Sequence, residues 1–373
     1  MNIVIYDTHH FETTYALLRI WDISGNRITL FVTPEVAAPI KDLLQDDVNR
    51  FHWEIKNVNN LLYVKQLYRY CRNENIHLLL LSTVAYHHIL FAILCRFLPK
   101  TTIVLTLHDV NSFFKPKFSL SGRTFIRYVG KKMLARSVSA YSTLLSSSKI
   151  YVDEKFKPPQ PIYVIPGSIY EGKSSFKTKD IEIPRIVIPG SMDIRRKNYE
   201  AVFELLQIIH SHQKKWELVL LGAADPVFGR DMLQKFKTVK KDFPGLIFYE
   251  SRFIEAKEYE RQLEAADFIF IPLQQYTIIE DNIPEEYGVT KSTGSFFDAV
   301  RHAKPVIVPD YINVPEELKR QTFSYKTIDH LIQFLLSITK DTSALSALQQ
   351  QTLENTLKFT PQAIRAALPQ FFE

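Results

Sequence analysis

Short apolar runs alternate with longer amphipathic stretches along almost the whole chain. Ile3–Tyr6, Thr29–Val32, His77–Leu81, Ile103–Leu107, Ala140–Leu145 and Tyr163–Ile165 have the length and the branched or aromatic content of buried strands. Between several of them apolar positions recur with a helical period, notably at Leu61–Asn73, Tyr86–Phe97 and Arg123–Ala135. A second series follows: strands at Ile186–Pro189, Glu217–Leu221, Ile247–Tyr249, Phe268–Ile271 and Pro305–Val308, and helices at Tyr199–His212, Arg230–Lys241 and Glu258–Ala266. Strands alternating with helices predict parallel sheets covered on both faces. The fold class is therefore α/β. A polar, weakly periodic stretch between the two series predicts a first domain at residues 1–167, a linker at 168–182 and a second domain at 183–343. Residues 344–373 form a helical tail, broken near Pro361 and Pro369, that can return to the first domain.

Composition narrows the class. The chain has 373 residues, 46% of them hydrophobic and 23% charged, enough for two domains with their own cores. Two cysteines, Cys71 and Cys95, permit one bridge at most and suit a reducing compartment. No Asp-x-Asp pair or Cys/His cluster points to a metal, so none is expected in the site. The opening MNIVIYD reads as a strand and not as a leader peptide. The apolar stretch Ile76–Leu98 is interrupted by three histidines and reads as a strand, a turn and a helix, not as a membrane span.

The net charge of +6 is unevenly placed. Val110–Val152 contains no acidic residue, yet it carries Lys115, Lys117, Arg123, Arg127, Lys131 and Lys132, interleaved with Phe113, Phe114, Phe118, Phe125 and Tyr128. Such a patch can rest on an anionic membrane surface or a lipid-phosphate acceptor, or it can be a solvated helix face. No nucleic-acid module accompanies it, so nucleic acid is not the expected partner.

The richest stretch chemically is Ile283–Pro309. It reads as an acidic loop (Glu285, Glu286, Tyr287), then Lys291-Ser292-Thr293-Gly294, then a helix and a buried strand. Small hydroxylated residues opening a helix leave backbone N–H groups and the positive dipole end facing one point, which suits a phosphate. The glutamates can accept from vicinal sugar hydroxyls. A second basic turn, Gly190-Ser-Met-Asp-Ile-Arg195-Arg196-Lys197, precedes the helix at Tyr199. Cations are unfavourable at a helix start unless an anion sits there, and Arg can hold a diphosphate with paired hydrogen bonds. Gly167–Ser174 matches the Walker A pattern, but a polar aperiodic stretch follows it where a phosphate-binding helix would have to begin.

These motifs stand in a familiar order. Gly190 with Arg196-Lys197-Asn198, Leu218–Gly222, Leu263–Pro272, Glu285–Gly288 and Asp298-Ala with Lys304-Pro305-Val306 resemble the C-terminal half of GT-B glycosyltransferases, most of all family 4 and its neighbours. His108-Asp109, Ser146–Ser148 and Val164–Gly167 resemble landmarks of the N-terminal half. The resemblance implies two Rossmann-like parallel-sheet domains facing a cleft, with the acceptor bound by the first and the nucleotide-sugar donor by the second. It implies that Arg196 and Lys197 hold the diphosphate and that Glu285 and Glu286 hold sugar and ribose. The family's second motif glutamate falls at Thr293 here, and the next acid followed by alanine is Asp298. In more distant GT-B branches, as here, Lys291–Gly294 would carry the diphosphate on backbone amides.

The implied reaction is metal-independent transfer of a sugar from a UDP- or GDP-sugar, a substrate and not a cofactor, to a hydroxyl of a glycan or lipid-linked acceptor. The setting would be bacterial envelope or exopolysaccharide synthesis in the cytoplasm, peripheral on the inner membrane face. A nucleotide-sugar epimerase and a non-catalytic GT-B binding module are the alternatives. His9, His10 and Glu12 follow the first strand, and His108 and Asp109 follow another, where parallel sheets deliver residues to a cleft. These five are the candidates for the base that takes the acceptor proton.

Overall fold

The computed structural model describes residues 1–172, 183–212, 215–251, 254–278 and 282–372. Strands β1 (Asn2–Asp7), β2 (Arg27–Val32), β3 (His52–Ile55), β4 (Leu78–Leu81), β5 (Thr102–Leu107), β6 (Ala140–Thr143) and β7 (Ile162–Val164) form one sheet in the order β3-β2-β1-β4-β5-β6-β7. Every pairing in it is parallel. The second sheet comprises β8 (Arg185–Pro189), β9 (Glu217–Leu221), β10 (Leu246–Phe248), β11 (Phe268–Phe270), β14 (Val306–Pro309) and β15 (Thr322–Tyr325), in the order β10-β9-β8-β11-β14-β15. It too is parallel throughout. A small antiparallel hairpin, β12 (Tyr276–Ile278) and β13 (Pro284–Glu286), projects from the second domain.

Both sheets are buried on both faces, which is why their central strands carry continuous apolar runs. Along β1, Ile3 and Ile5 enter one core and Val4 and Tyr6 the other. Along β8, Ile186 and Ile188 likewise oppose Val187. Each strand order reverses direction once, between β1 and β4 and between β8 and β11. Ligands of open α/β sheets bind beyond the strand C-termini at such a switch point.

The stretch 76–98 divides into β4 and the helix His88–Arg96, and among the described residues no helix is long and apolar enough to cross a membrane. Cys71 and Cys95 are buried free thiols whose pKa burial pushes up to about 12. Of the expected linker, Ser168–Gly172 is described, with Tyr170 buried and Glu171 accepting from Tyr15 Oη and Arg19 Nε at 2.7 and 2.8 Å. Lys173 and Ser174 of the Walker-like pattern lie outside the described residues. At the tail, Arg365 Nη1 donates to Ile20 O at 3.0 Å and Phe371 and Phe372 pack on Trp21, so the chain end rests on the first domain.

Candidate active site in the interdomain cleft

The first wall of the cleft starts at the end of β1. Asp7 is fully buried, and its Oδ1 accepts from His9 N at 2.7 Å and His10 N at 3.1 Å. That turn ends the strand and starts the helix Phe11–Trp21. Thr83, just past β4, donates its hydroxyl to Asp7 Oδ2 at 3.2 Å. His108, just past β5, places Nε2 2.8 Å from Ser82 O and 3.3 Å from Thr83 Oγ1. Its ring stacks on that of His10, 4.5 Å between centroids and 21° from parallel.

Burial, with the neighbouring His108 charge second, pulls His10 down to about 4. Burial likewise lowers His108, against the pull of Asp7. Two neutral imidazoles therefore face the cleft at neutral pH, able to accept a proton. His9 is exposed, as is the outer side of His10; the His9 ring lies 6.5 Å from that of His10 and its Nδ1 2.6 Å from Thr8 Oγ1. Glu12 reaches toward Arg301 and Glu260 of the second domain, and burial pushes its carboxyl up.

The second wall begins at the end of β8. Gly190 has φ +85°, a left-handed turn that would strain any side chain. Buried Lys197 bonds the oxygens of Pro189, Gly190 and Ser191 at 2.8, 2.6 and 2.9 Å. Burial, then the Arg196 charge, pulls this ammonium down to about 7. Arg195 is clamped on Asp193 at 2.6 Å and lies 3.7 Å over the Phe228 ring. Arg196 has a looser ion pair with Asp193, 3.4 Å, and its side chain is 40% exposed.

The helix Gly294–Arg301 begins beside this turn. Thr293 caps it by accepting from Ser295 N at 3.4 Å, and Ser295 donates to Pro189 O at 3.2 Å. The glycine turn, Lys197 and the helix start thus converge on one spot. The loop before it is held by Glu286, whose N–H donates to Thr290 Oγ1 at 2.8 Å and whose carboxylate accepts from Gln275 at 3.3 Å. Gly288 has φ +79°, and a Cβ there would come within 1.7 Å of Asn313 O, so only glycine fits. Tyr287 is buried, its hydroxyl pushed up to about 12 by that burial. Ser292 lies half-buried between the loop and the helix cap.

Several expected ligand groups are engaged across the domain boundary. Glu285 sits 1% exposed, accepting from Ser112 N at 2.6 Å and Asn111 N at 3.2 Å, the start of the short helix Val110–Phe114. Burial pushes its carboxyl up to about 7. Lys291 forms an ion pair with Asp109. Burial would raise Asp109, but the Lys291 ammonium holds it below the ordinary carboxylate range.

Lys131 corrects the surface-patch expectation. It is 5% exposed and donates to Ser112 O and Oγ at 3.0 and 2.9 Å, because the chain folds Val110–Phe114 over it. Arg127 is half-buried. Lys115, Lys117, Arg123 and Lys132 do reach the surface, Lys132 while donating to Phe114 O at 3.0 Å. Asp7, Ser82 and Thr83 on the first wall are not among the residues the sequence singles out for the site. Asp7 alone left a signal, as the charge ending an apolar strand.

No protein-family model matches the sequence, and no curated protein matches it. Solved structures do match over the full length. Sucrose-phosphate synthase from Thermosynechococcus elongatus is 12% identical with a TM-score of 0.64, covering 100% of this chain and 98% of its own. Anabaena HepE, solved with UDP and glucose, is 14% identical with a TM-score of 0.60, covering 100% and 99%. UDP-GlcNAc 2-epimerase from Neisseria meningitidis, bound to UDP-GlcNAc, is 9% identical with a TM-score of 0.60, covering 99% and 100%. The chain has the GT-B glycosyltransferase-like fold.

Proposed function

We propose that this protein is a metal-independent glycosyltransferase that moves a sugar from a UDP- or GDP-sugar to a hydroxyl of a glycan or lipid-linked acceptor. One observation carries the reading: a pair of neutral imidazoles faces an anion-ready helix start across the cleft of a GT-B fold. That neighbours of the same fold were solved with UDP, with glucose and with UDP-GlcNAc supports it.

In this reading the donor diphosphate lies at the Gly294 helix start, beside Gly190 and Arg196. The acceptor oxygen bonds to the anomeric carbon as the carbon–phosphate oxygen bond breaks. The hydroxyl proton passes to His108 or His10, and the leaving diphosphate takes the bonding electrons. Backbone N–H groups, the helix dipole and the Arg196 charge stabilise it, and the Lys197 ammonium contributes by exchanging a carbonyl of the Gly190 turn for the diphosphate. Lys291 joins them by turning from Asp109.

A finer part of the proposal concerns place. Lys115, Lys117 and Arg123 stand exposed beside Phe118, Leu120 and Ile126, which are 59%, 86% and 59% exposed. Cations interleaved with outward apolar groups suit the anionic inner face of a bacterial membrane, where a lipid-linked acceptor of envelope or exopolysaccharide synthesis would lie. Flotation with anionic vesicles at low salt tests this. Charge reversal of the three cations should abolish binding, and a wild-type protein that ignores such vesicles would end the idea.

The epimerase among the matched structures sustains a second reading, conversion of the donor sugar without an acceptor. Incubation with UDP- and GDP-sugars separates the two. Acceptor-dependent release of nucleoside diphosphate supports transfer, and sugar isomerisation with no acceptor present supports epimerisation.

A further inference from the structure

We infer that Asp7 is a positioning residue that, by orienting the Thr83 hydroxyl as an acceptor beside the Ser82 carbonyl, reinforces the His108 tautomer in which Nδ1 is the nitrogen open to a proton. The inference rests on the proposed transfer reaction only for its catalytic consequence. The tautomer itself follows from the donor and acceptor inventory around the ring.

Asp7 as a carboxylate can only accept. It accepts from two backbone N–H groups and, at 3.2 Å, from Thr83. The Thr83 hydroxyl proton is thereby committed to Asp7, and the oxygen 3.3 Å from His108 Nε2 has only lone pairs left to offer. Ser82 O, at 2.8 Å, is a carbonyl and also has only lone pairs. Two acceptors converge on Nε2, so Nε2 carries the hydrogen. A neutral imidazole has one N–H, so Nδ1 carries the lone pair. When Nδ1 takes the acceptor proton, the ring becomes an imidazolium and its Nε2 hydrogen stays on Ser82 O.

Asp7 touches neither the reacting atoms nor the ring. The groups that bear on the ring's charge are Asp7 and His10 from the end of β1, Asp109 beside it and Lys291 from the second domain. The carboxylates favour the imidazolium, whereas His10 and Lys291 oppose it, so the charge does not choose between the nitrogens. The hydrogen-bond chain does.

Asp7→Asn separates this role from turn building. The Asn oxygen still accepts from His9 and His10, so the turn persists. Its amide donates toward Thr83, which releases the threonine hydroxyl to point at Nε2 as a donor. A donating Thr83 then competes with Ser82 O for Nε2, so part of the population shifts its hydrogen to Nδ1, the change that disables a histidine base, while the carbonyl at 2.8 Å keeps the rest at Nε2. The tautomer is read by ¹⁵N NMR of the full-length protein's imidazoles, without substrate, with His108→Gln supplying the assignment.

The wild type should show His108 protonated at Nε2 at neutral pH. Asp7→Asn should move population toward Nδ1–H, Thr83→Val should weaken the preference, and Thr83→Ser should restore the wild-type spectrum. An Nδ1–H wild type overturns the inference. So does a folded Asp7→Asn, or Thr83→Val if the first fails to fold, with an unchanged His108 spectrum. If transfer is also confirmed, Asp7→Asn should lower kcat by about tenfold or more and spare donor KM. A switched tautomer in a protein whose His108 variants keep full turnover would leave the inference standing and remove the base from the mechanism.

Discussion

The two walls of the cleft treat their polar groups in opposite ways. On the first wall, buried Asp7 gathers three donors and the imidazoles of His10 and His108 stay neutral and open. On the second, most charges are already matched within the protein: Lys197 on three carbonyls, Arg195 on Asp193, Lys291 on Asp109, and Glu285 on the amides of the opposite domain. The first wall is prepared for proton transfer without rearrangement, the condition under which fixed polar groups are most effective. The second must exchange protein partners for those of an anion. Its exposed exception is Arg196, whose ion pair is the loose one.

The comparison breaks first at His108. If the first wall supplies the base, His108→Ala should lower transfer by about 10²–10⁴-fold with donor affinity unchanged. Equal losses in His10→Ala would mean that the stacked pair works as a unit. Near-normal turnover in His9, His10, Glu12, His108 and Asp109 variants alike would move proton acceptance to the leaving phosphate itself.

A smaller effect concerns Lys197. Its replacement by Ala leaves the three carbonyl oxygens of the Gly190 turn without their ammonium. Donor binding should weaken by about 1.5–3 kcal/mol, as for a lost charge-assisted hydrogen bond. A thermal shift measured without ligand should fall as well, since the lysine also holds the turn. A variant that loses stability but keeps donor affinity would make Lys197 a structural strut only.

The smallest effect is a pH dependence. The Glu285 carboxyl is raised from 4.5 to about 7, so the folded state favours its neutral form. Its contribution to stability is complete below about pH 4.5 and is lost as pH rises through about 7. Asp298, pushed up to about 7 by burial, acts in the same sense, whereas Asp109 acts in the opposite one. Comparison with Glu285→Gln isolates the residue. The variant should lack on the order of 1–2 kcal/mol of the decline in urea stability between pH 5 and 8. Parallel wild-type and variant curves would show that burial adds nothing to the cost of charging Glu285.

What the sequence made legible follows the same division. The central strands were readable because two-sided burial forces unbroken apolar runs, as in Leu78–Leu81 and Val306–Pro309. The edge strands His52–Ile55 and Thr322–Tyr325 were not, since each packs less completely and mixes polar with apolar residues. The site's residue types were readable, but their partners were not. Nothing in the order of residues says that Lys131 turns inward to Ser112 or that Glu285 reaches across to the other domain, because both depend on how distant elements meet. Asp7 illustrates the limit: a charge ending a strand is visible, and the three donors that converge on it are not.

The most direct test of the central claim is isothermal titration of the wild-type protein with a panel of UDP- and GDP-sugars, repeated with Lys197→Ala. The account predicts that at least one donor binds and that the variant weakens it by about tenfold or more, the equivalent of the lost hydrogen bond. A panel in which no nucleotide sugar binds the folded wild type would contradict it and leave a GT-B scaffold without a donor site.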